Sequence, residues 1–402
     1  MDLKDKLKIY DRRGTEKPPA PQGTLTAIGA EPVPHTSGTI WRFTTAYTAS
    51  DIVSAPGIRC CPLSIESFCK FNTTGLAPDV ERLLFLDLET TSLSIGAGNY
   101  PFLTGIGYFK NGDFIIEQFF MEDYAAEAAI LEYLLPYFER SLAIVTFNGK
   151  SFDIPLLKSR YRINAVPRFP VEMPVIDLVY PCRRVFKRTL PSCSLKSMEE
   201  NVLGTPRPDD IPGWLIPDVF FSYQKYGETD RLPAVIVHNR LDVFSMCQIL
   251  VLMNSIYAAV DAREYRRMER NALLSIARHL CRKHAAAFID VMEFIGNDMY
   301  RERFLFKNYC AALKRAGRLE DMLRFLKRDM SLYALEELAK HYEHREKKFS
   351  RAREYSQMAI TLLDDGYFSP RMEPLAPHHR AMYRERFFRR MTRLTRRINA
   401  SG

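Results

Sequence analysis

The sequence predicts an α/β domain, built on a mixed sheet flanked by helices, followed by an all-helical domain. Short apolar runs typical of buried strands occur in the first half of the chain, where they alternate with amphipathic helical segments. Beyond Asn254 the strand patterns disappear and short helical segments succeed one another. We therefore divide the chain into an N-terminal arm at 1–78, an α/β domain at 79–255 and a helical domain at 256–402.

The N-terminal arm is rich in proline, threonine, glycine and serine. This composition is typical of loops, so we expect a flexible arm up to about residue 35. After it, TIWRFTTAY at 39–47 and the stretch at 63–71 favour an added strand or hairpin.

Three consecutive strands are predicted next. LLFLDL at 83–88, FLTGIGYF at 102–109 and DFIIEQFF at 113–120 are short apolar runs. The pair Asn111-Gly112 between the last two is a strong signal for a β-hairpin turn. We therefore expect these strands to be antiparallel.

The rest of the predicted α/β domain alternates helix and strand. An amphipathic helix is expected at 125–140, a strand at 142–147, a helix opened by Ser151 at 151–161 and a last strand at 171–178. The inward-facing positions of the first helix are Ile130, Leu131, Leu134, Leu135 and Phe138. Three antiparallel strands followed by helix, strand, helix and strand is the order of a ribonuclease H-like domain. A proline-rich loop at 205–217 and an amphipathic helix at 238–253 follow.

The helical domain carries two features of its own. Small and aromatic residues occupy the positions that a tetratricopeptide-like helix pair requires, namely Ala339, Tyr342, Ala352, Tyr355 and Ala359. From Arg380 onward, eight arginines stand against one glutamate, interleaved with aromatic residues. Arginines neutralise phosphates and aromatic rings stack on bases, so this tail predicts contact with a substrate or partner. The alternative is a solvated amphipathic helix.

The composition favours a polyanionic partner, because the net charge is +9, with 57 Lys+Arg against 48 Asp+Glu. The first residues lack the apolar segment of a secretory signal, and the longest apolar stretches are too short to cross a bilayer. The 8 cysteines include no CxxC pair, which indicates reduced thiols. We expect a cytoplasmic protein that does not enter a membrane.

The first acidic motif, Asp87-Leu88-Glu89, closes the first strand of the predicted α/β domain. Residues i and i+2 of a strand point to one face, so both carboxylates project together among apolar neighbours. They repel each other and lose hydration there, and a divalent cation between them removes both penalties. The alternative is that the strand has ended and that both carboxylates are solvated.

Two further motifs place acidic residues at the ends of predicted elements. Asp153, in FNGKSFDIP, would lie in the first turn of a helix and face the strand ends. His238 and Asp242, in HNRLDV, are four apart and share one helical face. Taken singly, Asp153 can serve the helix dipole, and the other two can form an ordinary helical pair. Their joint occurrence with the first motif predicts a carboxylate cluster.

LFLDLETT, FNGKSFDIP and HNRLDV together resemble the three motifs of the DEDD superfamily of 3′→5′ exonucleases. The stretch at 83–109 and Asp-Asp-Ile-Pro-Gly at 209–213 are more closely similar to the YprB family, which includes mitomycin repair factor B-like exonucleases. That family joins a ribonuclease H-like domain to tetratricopeptide-like helices, and the resemblance spans about residues 70–365. The spacing from His238 to Asp242 is that of the superfamily's tyrosine subgroup, since the histidine subgroup has one residue more.

The resemblance implies a metal-dependent 3′→5′ DNA exonuclease that acts in DNA repair. By motif position, Asp87 and Glu89 match the first carboxylate pair, Asp153 the second-motif aspartate and Asp242 the last carboxylate. His238 falls where the superfamily carries its catalytic tyrosine or histidine. A DNA helicase is the partner that the resemblance implies.

The four oxygen ligands predict two ions, Mg²⁺ or Mn²⁺, rather than zinc. We expect Asp87 to bridge the ions and His238 to act as the base. Thr90 and Asn148 are candidates for contact with the terminal nucleotide, whereas Asp177 is expected to be structural. Two alternatives stay open: an RNA exonuclease with the same site, and a helical-repeat scaffold with little nuclease activity that recruits a helicase.

Overall fold

The structure is a computed structural model that describes residues 24–36, 38–55, 58, 63–73, 75–92, 96, 98–166, 172–364 and 376–400. The chain divides into two compact units, Met1–Ala262 and Arg263–Gly402. The predicted domain limit at residue 255 falls inside a helix that continues to Asp261. The first unit therefore extends beyond the α/β domain expected from the sequence.

The first unit is built on a seven-stranded sheet with the order β1-β2-β5-β4-β3-β6-β7. The strands β3, β4 and β5 are consecutive and antiparallel, as predicted, and β6 and β7 are parallel to β3. The order of strands and helices is the one expected for a ribonuclease H-like domain. The strands are β1 Glu31–His35, β2 Gly38–Tyr47, β3 Leu83–Thr90, β4 Pro101–Lys110, β5 Asp113–Phe120, β6 Ala143–Thr146 and β7 Val175–Asp177.

Residues 31–47 belong to this sheet, which corrects the extent of the predicted N-terminal arm. The strand expected at 39–47 is β2, which forms a hairpin with β1 and pairs antiparallel with β5. The strand expected at 63–71 was wrong, because Glu66–Asn72 is a helix. Ile40 and Phe43 of β2 are buried, and their burial offsets the cost of ordering the segment. The part of the expected arm before Thr24 lies outside the described residues.

The helices of the first unit flank the sheet. Helix α5 begins at Asp153 and not at Ser151, because the preceding residues form a turn in which Phe152 N donates to Gly149 O at 3.2 Å. The helices are α1 Thr24–Ala27, α2 Ala49–Val53, α3 Glu66–Asn72, α4 Glu127–Arg140, α5 Asp153–Ile163, α6 Val179–Phe186, α7 Leu195–Met198, α8 Ile216–Tyr226 and α9 Leu232–Asp261. The predicted inward face of α4 is buried, apart from the partly buried Leu135.

Helix α9 is the core helix of this unit and packs on β3, β4 and β5. By length and composition it could cross a membrane, yet 72% of its most apolar window is buried inside the protein. The apolar character of α9 is therefore explained by its burial in the core of this unit. The described cysteines carry free thiols, and Cys60 and Cys61 lie outside the described residues.

The described part of the second unit is helical. Its helices are α10 Arg270–Leu280, α11 Ala285–Ile295, α12 Arg303–Arg315, α13 Leu319–Asp329, α14 Leu332–His344, α15 Phe349–Asp364 and α16 Pro377–Asn399. Ala339, Ala352 and Ala359 are fully buried, and the rings of Tyr342 and Tyr355 stack at 5.5 Å. These residues join α14 to α15, while the tetratricopeptide-like character of the unit stays a prediction.

The arginine-rich tail forms α16. Arg390, Arg393 and Arg397 surround the fully buried Glu343 of α14. Among the described residues, every arginine of α16 except Arg396 contacts a carboxylate or a backbone carbonyl. Most of the charge of this helix is therefore engaged within its own unit.

Candidate active site

The first carboxylate pair lies on β3, between β4 and β6 in the sheet. Asp87 and Glu89 project from the same face, because residues two apart in a strand share a face. Glu89 is buried and Asp87 is partly buried. The register with β4 shifts between Glu89 and Thr90, so regular pairing ends directly after the two acidic residues.

The turn between β6 and α5 positions Asp153. Asn148 has a left-handed φ of 67°, a conformation that asparagine tolerates well. A Cβ at Gly149 would lie 2.5 Å from Asp153 Oδ2, so only glycine fits beside this carboxylate. Asp177, at the end of β7, holds the turn by accepting backbone hydrogen bonds from Asn148 at 2.7 Å and Lys150 at 3.2 Å. These contacts fit the structural role expected for Asp177.

Helix α9 fixes Asp87 through Asn239. The Asn239 side chain is fully buried, and its Nδ2 donates to Asp87 Oδ2 at 2.7 Å. Its Oδ1 accepts a hydrogen bond from Gln118 Nε2 at 2.8 Å. The helix approaches the sheet closely, since a Cβ at Gly105 would lie 2.2 Å from Asn239 Oδ1.

Four carboxylates interact at this place: Asp87, Glu89, Asp153 and Asp242. Burial and the charges of the other three raise the pKa of Asp87 well above its ordinary value. Burial and the neighbouring carboxylates raise the pKa of Glu89 to about 8, against the opposing charge of His238. Burial and nearby aspartates raise the pKa of Asp153 to about 7. The structure thus brings together the four carboxylates that the sequence predicted to form one cluster.

His238 lies beside this cluster. Its Nδ1 is 2.8 Å and 2.9 Å from the two carboxylate oxygens of Asp210. Its Nε2 is 3.7 Å from Asp242 Oδ2 and 3.9 Å from Glu89 Oε1. Burial lowers the pKa of His238, but the surrounding carboxylates outweigh it and raise this pKa above the ordinary value. Asp210 therefore sets the ring so that Nε2 faces the cluster.

Arg207 is the cation closest to Asp242. Its Nη1 donates to Asp242 Oδ1 at 2.7 Å and lies 3.7 Å from Asp210 Oδ2. Its Nη2 donates to Glu199, which is buried. Arg207 therefore neutralises part of the charge beside the cluster, but its hydrogen bonds go to Asp242 and not to Asp87.

The two candidate nucleotide contacts lie at the ends of the strands that carry the cluster. The Thr90 hydroxyl donates to Ser92 O at 2.8 Å. Asn148 is exposed in the turn before α5. Both residues thus belong to motifs that also supply a carboxylate of the cluster, and contact with a nucleotide stays a prediction.

The donor set fits hard divalent cations. Carboxylate oxygens suit Mg²⁺ or Mn²⁺, and a cation would relieve the repulsion that raises the pKa of these acids. Within the described residues, no three His, Cys, Asp or Glu side chains are already arranged as a closed ligand set. Asn239 and Arg207 each donate a hydrogen bond to one oxygen of a cluster carboxylate.

No role was predicted for Asn239 or Arg207, and Asp210 entered only through the resemblance to the YprB family. A signal for Asn239 was present in β4, where Gly105 and Gly107 face α9. Glycines two apart in a strand indicate close approach of another backbone or side chain. Arg207 lies in a proline-rich loop, and no local pattern links that loop to α9.

Comparison with known proteins agrees with this geometry. Residues 84–254 match the model of the ribonuclease H superfamily. Over 291 residues the chain is 28% identical to a protein of Bacillus subtilis (strain 168) named "Uncharacterized protein YprB", a match that covers 70% of this chain and 69% of that protein. The first unit therefore contains a ribonuclease H-like domain of the nuclease type, and the resemblance to YprB predicted from the sequence is confirmed.

Proposed function

We propose that this protein is a metal-dependent 3′→5′ DNA exonuclease that acts in DNA repair. The observation that carries the proposal is the convergence of four carboxylates, three of them with a raised pKa, at one edge of a ribonuclease H-like sheet. Like charges without matching cations are costly unless a ligand neutralises them. A catalytic divalent cation meets that requirement and also suits phosphodiester hydrolysis.

Asp87 would hold both ions, Glu89 and Asp153 one of them, and Asp242 the other. When bound, two divalent ions relieve charge on the phosphoryl group and lower the pKa of the attacking water. Asn239 orients Asp87 by a hydrogen bond to Oδ2 and leaves Oδ1 for a ligand. Arg207 likewise donates to Asp242 Oδ1 and leaves Oδ2 of that carboxylate for a ligand.

His238 would accept the proton of the attacking water at Nε2. Asp210 faces Nδ1, which fits a tautomer with the proton on Nδ1 and a free acceptor at Nε2. Glu89 and Asp242 flank this atom, so a proton can be taken up beside the reacting phosphate. Asp210 thus serves as a positioning residue.

The 3′→5′ direction, the role in DNA repair and a helicase partner rest on the motif resemblance. Thr90 and Asn148 are proposed to contact the terminal nucleotide, and the protein is proposed to act in the cytoplasm. The four carboxylates do not select the sugar, because only a contact to the 2′-hydroxyl separates RNA from DNA.

One assay tests the function, its direction and its substrate. Single strands and duplexes of DNA and RNA, labelled at either end, are incubated with Mg²⁺, with Mn²⁺ or with EDTA. We expect DNA to be shortened from its 3′ end in either metal and to stay intact in EDTA. Equal cleavage in EDTA would contradict the metal-dependent site, release from the 5′ end would contradict the direction, and preference for RNA would favour the alternative.

A further inference from the structure

A groove lies along the exposed side of α5, the helix that begins with Asp153. Its volume is about 510 Å³, and its lining includes Lys150, Lys158 and Arg162. The opposite side of the helix is packed in the core through Leu157 and Tyr161. The groove is therefore built on a rigid element of the site.

The cationic side chains of this groove differ in their pairing from Arg160, which lies on the same helix. Arg160 is buried and paired with Glu127. Among the described residues, Lys150, Lys158 and Arg162 have no ion-pair partner, and Glu172 is the one acidic side chain in the lining. With three cations against one carboxylate, the lining carries a net positive charge, which makes it complementary to a polyanion.

The groove begins beside the carboxylate cluster. Lys150 belongs to the turn that Asp177 holds in front of Asp153. The neighbouring Phe152 is 48% exposed, although a phenylalanine ring favours burial. From Asp153 to Arg162 the helix rises roughly 13 Å at about 1.5 Å per residue. At the rise of about 3.4 Å per nucleotide that a strand has in a duplex, this length matches about four nucleotides.

We propose that this groove binds the sugar–phosphate backbone of the strand whose end lies at the carboxylate cluster. Lys150, Lys158 and Arg162 neutralise phosphates along this length, and Phe152 offers a face on which a base can stack. The proposal rests on the proposed nuclease function and adds the path that the substrate strand follows from the cluster. The proposal requires that the groove contribute to the binding of long substrates and contribute little to the binding of a dinucleotide.

The test uses the full chain and a variant with Lys150→Ala, Lys158→Ala and Arg162→Ala. Binding of a fluorescein-labelled thymidine 20-mer is measured by anisotropy in EDTA at 50 and 200 mM salt. Each lost phosphate contact removes about 0.7 from the salt slope for a single strand, so the variant should lose about 2. The rise in salt should then weaken wild-type binding about 20-fold more than variant binding. Cleavage of the 20-mer and of a dinucleotide is measured in Mn²⁺.

Lys110→Ala is the matched control, since Lys110 is an exposed lysine at the far end of β4. Glu172→Lys should strengthen binding of the 20-mer. If the salt slope of the groove variant equals that of Lys110→Ala while the wild type is active, the groove proposal is wrong. The nuclease function then stands. If the salt slope depends on the groove residues but the wild type does not cleave, the groove proposal is supported and the proposed nuclease function is contradicted. Equal loss of cleavage for the dinucleotide and the 20-mer would indicate damage to the site and contradict a backbone groove.

Discussion

Both units bury carboxylates, but the cluster of the first unit lacks the ring of cations that surrounds Glu343 in the second unit. In the second unit Glu343 is fully buried, yet Arg390, Arg393 and Arg397 surround it. Burial raises its pKa, but the charges and hydrogen bonds of its neighbours outweigh this effect and lower it. Glu343 is thus a carboxylate whose charge is already balanced.

In the carboxylate cluster of the first unit the balance of charge is the reverse. The pKa of Asp87 is well above its ordinary value, because burial and three other carboxylates disfavour its charged form. Arg207 is shared with the buried Glu199 and hydrogen-bonds only Asp242 within the cluster. The two sites therefore differ in role. The charge of Glu343 is balanced within the fold, whereas the charge of the cluster is left for the proposed cations to balance.

Asp87→Asn should reduce cleavage to background, because the proposed bridging carboxylate is lost while the hydrogen bond from Asn239 can be kept. In EDTA at pH 8 the same change should raise the melting temperature, since one of the repelling charges is removed. Asp153→Ala should also abolish cleavage. Activity assays and thermal unfolding of the full chain measure both effects. A lower melting temperature for Asp87→Asn in EDTA would show that the cluster is balanced without metal.

His238→Ala should lower the rate of cleavage by roughly 10²–10⁴, the usual loss when a general base is removed. Asp210→Asn should lower it less, because asparagine can still accept from Nδ1 but lacks the charge. The rate as a function of pH should lose its limb near neutrality in the first variant. An unchanged pH profile in His238→Ala would leave His238 as an ordinary helical partner of Asp242.

Glu343→Gln should destabilise the protein by about 3 kcal/mol, at the lower end of the range for breaking a buried pair, because Arg393 and Arg397 reach solvent. Cleavage by the folded enzyme should be unaffected. Urea denaturation and hydrogen exchange in α14 and α16 provide the measurement. Arg396→Gln is the control and should have little effect. Stabilisation by Glu343→Gln would remove the contrast between the two units.

In EDTA, stability should fall as the pH rises from about 5 to 8. The folded-state pKa of Glu89 is about 8 and that of Asp153 about 7, against ordinary values of 4.5 and 3.8. Between these values the folded state binds more protons than the unfolded state, so raising the pH favours unfolding. The raised pKa of His238 acts in the same direction, since its contribution is lost as the pH rises through that value. Saturating Mn²⁺ should remove most of the slope, and melting temperatures that are flat with pH in EDTA would contradict the shifts.

Much of the site was predictable because its acidic residues occupy regular elements. Asp87 and Glu89 follow the two-residue period of β3, and Asp242 follows the four-residue relation to His238 in α9. The strand at the sheet edge was harder to assign, because the first strand, β1, contains two prolines and lies in a proline-rich region. The hairpin of β1 and β2 joins the sheet through the pairing of β2 with β5, which is distant in sequence.

The residues that control the carboxylates could not be derived from local patterns. Asn239 lies one residue after His238, off the face that His238 and Asp242 share, yet it reaches Asp87 because Gly105 opens a space for it. Arg207 reaches α9 from a loop that has no period. Both contacts arise from tertiary packing, so the spacing of residues in the sequence does not predict them.

The place of α9 in the chain has a consequence for biosynthesis. Translation reaches Asp87 early, but it adds His238, Asn239 and Asp242 only after more than half of the 402 residues have been joined. Until α9 closes on β3, Asp87 lacks its amide donor and the cluster lacks its last carboxylate. We therefore expect a ribosome-bound chain or a truncated product that stops before α9 to be inert in the proposed reaction.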